Sequence, residues 1–514
     1  MKNKLFILIS FLVFGLSCSK DPINEMVQTE PAELSFSEFS FHEKTNSQQL
    51  LKDIKGRIYD DKIVGVMPYL SSSKVLVASF KINGATVKVD NVEQQSGVTA
   101  NDFSKPVKYT IVGADGREKS FTVVLYSFTG LPVLYLETDG PVVSKDDYVN
   151  GNLVVDPNSR YTQDVTSIKL RMKGRGNSTW QMPKKPYKLK FDTGTELLGL
   201  PASKDWVLLA NFADKSLMRN YLAFEMAKQF GVSFTPRNRF VEVFLNGEYM
   251  GNYLLTEQIQ VGPNRVNINP MSKSDNTPET ISGGYLLEID ARLDETYWFI
   301  SNKGVPFTIK EPEKITPEQL NYIQEYVQKT EDVIFSDQFA DPNEGYTKYI
   351  DVNSFVNWYL VNELMKNNDA KFYSSVYMYK DRNGKLSLGP VWDFDIAGGN
   401  INWNGNNQPE GWWIKEEASW IKKLFEDPAF STKVKARWTE LRQSSIPSLY
   451  TYLNEGANYL KYSQRENFNK WEYMYTKVWP NAVALGSHQN EVQYLKDWLT
   501  KRVEWMDRQF ANGY

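Results

Sequence analysis

The chain has 514 residues, 41% of them apolar and 14% aromatic, enough to bury a large core in two or more domains. A net charge of −3 gives no basic field for nucleic acid. The two histidines, His42 and His488, leave almost no material for a His-based triad, a His-ligated zinc site or a phosphohistidine carrier. Chemistry in this chain falls to carboxylates, lysine and arginine.

The first segment carries Lys2 and Lys4, an apolar run from Leu5 to Leu16, then Ser17 and Cys18. It reads as a secretory signal, too short for an ordinary membrane span. Cys18 is the single cysteine, and its place at the end of the run resembles a bacterial lipoprotein site, although Gly15 stands where Leu is usual. The expectation is a lipoprotein signal peptide over 1–18, acylation of Cys18 and a polar tether over 19–31. Such a protein is anchored to the bacterial cell envelope, at the outer membrane or cell surface, by lipid alone. With Cys18 acylated no thiol is left for a disulfide, even in an oxidising compartment.

Residues 32–128 predict a separate all-β, Ig-like sandwich. The runs at 74–78, 85–89, 107–112 and 120–125 are rich in β-branched residues, with turn signals at Asn83-Gly84 and Asp115-Gly116. This unit is read as a spacer or as a glycan-binding module.

From residue 130 onward strands and helices mix. A strand at 166–172 leads into Lys173-Gly174-Arg175-Gly176-Asn177-Ser178-Thr179-Trp180, and a second strand places Lys188 and Lys190 on one face. A glycine-containing loop followed by a lysine-bearing strand is one way to cover and reach nucleotide phosphates. Asp214-Lys215-Ser216 then predicts the start of a helix over about 217–230, closed by Gly231. On it, Glu225 is a candidate partner for a strand lysine and Arg219 a candidate phosphate contact. Asn246-Gly247 predicts a type I′ hairpin turn, and the strand leaving that hairpin brings Glu257 to a plausible adenine-binding edge. Another strand is expected at 283–290, and helices at about 316–330 and 353–367.

The second helix delivers the chain to Asn367-Asn368-Asp369. A predicted hairpin turning at Asp381-Arg382-Asn383-Gly384 then leads to Trp392-Asp393-Phe394-Asp395. Such a hairpin brings carboxylates to one end of a sheet. Phosphoryl transfer needs that arrangement: one aspartate orients the attacking hydroxyl and another holds the metal that bridges the phosphates.

Taken in order, Arg175–Ser178 with 185–191, Asp214 through Asn220, the run 243–251 to Glu257, Asn368-Asp369 and Trp392–Asp395 resemble the CotH family of spore-coat-type kinases. The resemblance implies an α+β fold, with an atypical two-lobed kinase-like domain over 130–514. It also implies transfer of the ATP γ-phosphate to Ser or Thr of a protein substrate with Mg²⁺ or Mn²⁺. Carried over, Asp369 orients the acceptor hydroxyl, Asp393 and Asp395 hold metal, Lys188 or Lys190 and Arg175 meet the phosphates, and Glu257 lies near adenine. The chain departs from the kinase pattern after Asp369: Ala370 to Ser375 offers serine where an asparagine usually holds a second metal. The competing expectation is a non-catalytic, surface-anchored binder of glycan or metal, with Trp403, Trp412 and Trp413 as stacking platforms.

Overall fold

The computed structural model describes residues 33–68 and 73–512. The signal, Cys18 and the tether lie outside the described residues.

Between residues 35 and 126 the described elements are strands only. A three-stranded sheet centred on Ser35–Phe41 faces a six-stranded sheet in which Glu118–Tyr126 pairs antiparallel with Val107–Val112 and parallel with Lys62–Val66. Alternating inward residues of both sheets form one core, with Phe36, Phe39, Phe41, Phe103, Tyr109 and Phe121 in mutual ring contact. These sheets also pack against strands further along the chain. Val64, Val133, Tyr135, Phe244 and Tyr249 bury together, Arg57 lies over the Tyr135 ring, and Lys62 pairs with Glu248.

The next unit is a closed barrel of seven strands. Its neighbours are antiparallel until the ends meet, where Val133–Thr138 pairs parallel with Asn238–Leu245 and closes the ring. Leu136, Leu153, Met172, Leu189, Trp206 and Tyr253 fill the interior. The hairpin at Asn246-Gly247 turns with both φ positive, +50° and +77°, as type I′ geometry requires.

Beyond the barrel lies a five-stranded sheet centred on Tyr285–Ile289, which pairs with Pro306–Glu311 on one side and Val376–Lys380 on the other. Helices Pro317–Ile334 and Val352–Leu364 join it to a helical C-terminal part that ends in His488–Ala511. Among the described residues no helix is long and apolar enough to cross a membrane.

Helix Arg219–Gln229 departs from expectation in its surroundings. Leu222, Phe224 and Met226 sit in the large core shared with the C-terminal helices, and the helix packs on Val352–Leu364 and Ser445–Tyr459. Glu225 therefore meets Gln229 and Lys228 on its own helix, not a strand lysine.

Candidate functional site

A cleft of about 760 Å³ opens between the barrel mouth and the five-stranded sheet. Of the residues singled out in the sequence, it gathers Arg175, Lys188, Asp369, Asp393 and Asp395.

The barrel supplies the first wall. The loop after strand Ile168–Gly174 needs its glycines: a Cβ on Gly176, whose φ is +78°, would fall 2.1 Å from Thr179 Oγ1. This tight turn sends Arg175 into the cleft, where its guanidinium lies 5.3 Å from the Trp392 ring. Burial pulls the arginine pKa down, and the nearby Asp393 opposes that. Lys188 reaches the cleft from strand Tyr187–Leu197 and pairs with Asp205 at 3.0 Å. Lys184 lines the same wall, but its ammonium is spent on Asn252 O and Asn467 Oδ1.

The second wall carries the carboxylates. Helix Val352–Leu364 ends at the residues that position Asp369, and Asn368 Nδ2 donates to Asp369 Oδ1 at 2.8 Å. Burial raises the Asp369 pKa, with Asp393 adding to it. Asp393 sits at φ +67°, a left-handed conformation uncommon for a residue with a Cβ, and Ser375 Oγ donates to its Oδ2 at 3.4 Å. Ser375, in the stretch where an asparagine was expected, thus meets the Asp393 carboxylate. Asp395 is 7% exposed. Burial first, then the charge and hydrogen bond of Asp393, push its pKa well up.

Backbone hydrogen bonds hold this strained loop. Asn220 Oδ1 accepts from Phe394 N, Asn400 Nδ2 donates to Asp395 O, and Arg219 donates to the carbonyls of Ala397 and Gly398. Arg219 is also paired with Asp214, whose carboxylate accepts the N–H of the first helical residue. Both side chains are fully buried. Arg219, expected at the phosphates, is instead the clamp of the Asp393–Gly398 loop. Glu257 is likewise placed elsewhere: it is buried between Arg237 and Arg265, while its neighbour Gln258 lines the cleft. Lys190 shares a sheet face with Lys188 but does not line the cleft. Trp412 packs on Trp505 and Phe510, and Trp413 is buried with its indole N–H on Asn368 O, so neither is a free platform.

Sequence reasoning passed over several cleft residues. Glu288, beside Tyr377 in the sheet and 3.4 Å from Lys310, is pushed up to about 7 by burial. Arg292 joins Asp290 Oδ2 and Ser374 Oγ. Nothing local in the sequence marks these positions, because strand pairing alone brings them to the site.

Among the described residues no three His, Cys, Asp or Glu side chains converge closely enough to hold a metal by themselves. A magnesium-type ion bound with a nucleotide needs only one or two carboxylates, the phosphates and water supplying the rest. The hydrogen-bonded, mutually repelling pair Asp393 and Asp395 fits that donor set.

The repulsion has a measurable consequence. A carboxyl whose folded pKa is raised favours folding while protonated, and that contribution is lost as pH rises through the folded value. Asp395→Asn should therefore raise the metal-free thermal midpoint at neutral pH. The gain should vanish near pH ~4, where unfolded carboxylates also bind protons. An unchanged midpoint, or a gain indifferent to pH, would remove the electrostatic account of this pair.

No curated protein matches the chain. A solved structure from Bacteroides thetaiotaomicron, described as a candidate glycoside hydrolase, aligns over 35% of this chain and 53% of its own, about half its length, at 17% identity and a TM-score of 0.20, too low to bear on fold or chemistry. The family model described as CotH kinase protein matches residues 172–506, well over half of the chain and including every cleft carboxylate named above. This chain belongs to the CotH kinase family.

Proposed function

We propose that the protein is an atypical kinase that transfers the γ-phosphate of ATP to Ser or Thr hydroxyls of a protein substrate. The observation that carries this reading is the convergence of Asp369, Asp393 and Asp395 opposite Arg175 and Lys188 in one cleft between barrel and sheet. In this reading the barrel and the helical part are the two lobes. The acceptor oxygen attacks the γ-phosphorus, the bond to the ADP oxygen breaks, and ADP leaves. Asp369 orients the hydroxyl and takes its proton. Arg175 and Lys188 lie against the phosphates, Lys188 exchanging Asp205 for them, and Gln258 lies on the adenine side in the place expected of Glu257. Asp393 and Asp395 would hold Mg²⁺ or Mn²⁺, which, when bound, supplies positive charge over the β- and γ-phosphates. Anchoring at the cell envelope through Cys18 belongs to the same reading and is supported by the apolar run before it.

Calorimetry of ATP binding with Mg²⁺ or Mn²⁺ tests the site. The wild-type chain should bind ATP only with metal, and Asp393→Ala should lose that binding. A folded wild-type sample that binds no ATP with either metal would overturn the kinase reading.

A further inference from the structure

Residues 471–487, between helices Ser463–Lys470 and His488–Ala511, form a long connection without helix or strand. Long structureless loops in compact folds are uncommon and usually serve function. This one carries Tyr475, 85% exposed, and Trp479, 55% exposed. Trp479 stacks on Trp403, with ring centroids 5.7 Å apart and planes at 16°, and both indoles line the cleft. Solvated, stacked indoles at the mouth of a cleft are not core packing.

The platform is tied to the acceptor side. Asn404, beside Trp403, donates through Nδ2 to Asn368 Oδ1 at 3.0 Å, and Asn368 in turn holds Asp369. The surrounding segment Asn400–Gln408 is rich in side-chain amides, of which Asn402, Asn404 and Gln408 are exposed. Amides both donate and accept, as sugar hydroxyls do, and the apolar face of a pyranose stacks on indole. A peptide-binding groove would call instead for apolar pockets or a free strand edge at this place.

We infer that Trp403 and Trp479, with Asn404, form a saccharide-binding subsite beside Asp369, so that the acceptor of this enzyme carries sugar. The inference rests on the phosphoryl-transfer reading only for the word acceptor; the saccharide site is testable without it. Cellotriose, maltotriose and chitotriose are titrated into the full chain, with binding read by calorimetry and by tryptophan fluorescence. At least one should bind. Trp479→Ala should weaken it roughly tenfold or more, about 1.4 kcal/mol, and Trp479→Phe should keep most of the affinity. Tyr475→Ala, on the same loop but outside the stack, should change nothing.

Absence of binding by all three, or binding that survives Trp479→Ala, would overturn the proposal. Circular dichroism melting confirms that the variants are folded; Trp403→Ala, which removes the other half of the stack and should weaken binding as Trp479→Ala does, carries the test if the Trp479 variant is not. Metal-dependent ATP binding by the same wild-type sample separates the two readings. ATP without sugar sinks the subsite alone, and sugar without ATP sinks the kinase alone.

Discussion

Asp369→Asn is expected to lower ATP-dependent phosphoryl transfer by roughly 10²–10⁴-fold, the range for losing a positioned acid–base group, while leaving metal-dependent ATP binding in place. The asparagine keeps the shape and can still meet Asn368, yet it cannot accept the hydroxyl proton. The raised pKa of Asp369 adds a signature. Because only the ionised form accepts a proton, the wild-type rate should fall as pH drops through a value above the ordinary carboxylate range, and Asp369→Asn should lose that limb. ADP formation and phosphate incorporation, followed across pH, read both effects. A variant that turns over at the wild-type rate with an unchanged pH profile would remove Asp369 from the chemistry.

Arg219→Leu is expected to have the largest effect on stability. Asp214 would be left as an unpaired buried charge, which costs about 3–5 kcal/mol when one partner of such a pair is removed. The Ala397 and Gly398 carbonyls would also lose their donors, freeing the loop that holds Asp393 in its left-handed conformation. Denaturant unfolding should show the loss. ATP affinity with metal should fall even at temperatures where the variant remains folded. Adding Asp214→Asn should restore part of the stability without restoring ATP affinity, since the loop carbonyls stay unserved. A loss below about 1 kcal/mol would mean that the pair behaves as a surface salt bridge despite its burial.

These two residues mark where the sequence was and was not legible. Asp369 and Asp393 stood out because short-range chemistry exposed them: a helix end, a hairpin and a tight acidic turn each have local signatures. The type I′ turn at Asn246-Gly247 was readable for the same reason, since few residue pairs accept two positive φ values. Arg219 and Glu257 were read as ligand contacts because residue type alone cannot tell a cation or carboxylate facing solvent from one buried in a pair. Their partners, the Ala397 and Gly398 carbonyls and Arg237 and Arg265, are set by tertiary packing. Glu225 failed similarly: its helix has an apolar face, but period alone does not say which edge meets a strand lysine, and Glu225 faces its own helix instead. Trp479 gave no signal at all, as its platform exists only where two distant loops meet.

The closing strand pair of the barrel bears on how such a chain is made. Val133–Thr138 finds its second neighbour only in Asn238–Leu245, after four intervening strands have been laid out. A polypeptide delivered from its N-terminus therefore presents an open, hydrogen-bond-hungry sheet margin until residue 257 is available, since Glu248–Glu257 joins Leu200–Leu209 to Asn238–Leu245, and that margin is a template for pairing with neighbouring chains. Such distant pairing also slows assembly. Interruption anywhere from 139 to 237 leaves two fragments with raw margins, and neither holds the cleft wall of Arg175 and Lys188 in place.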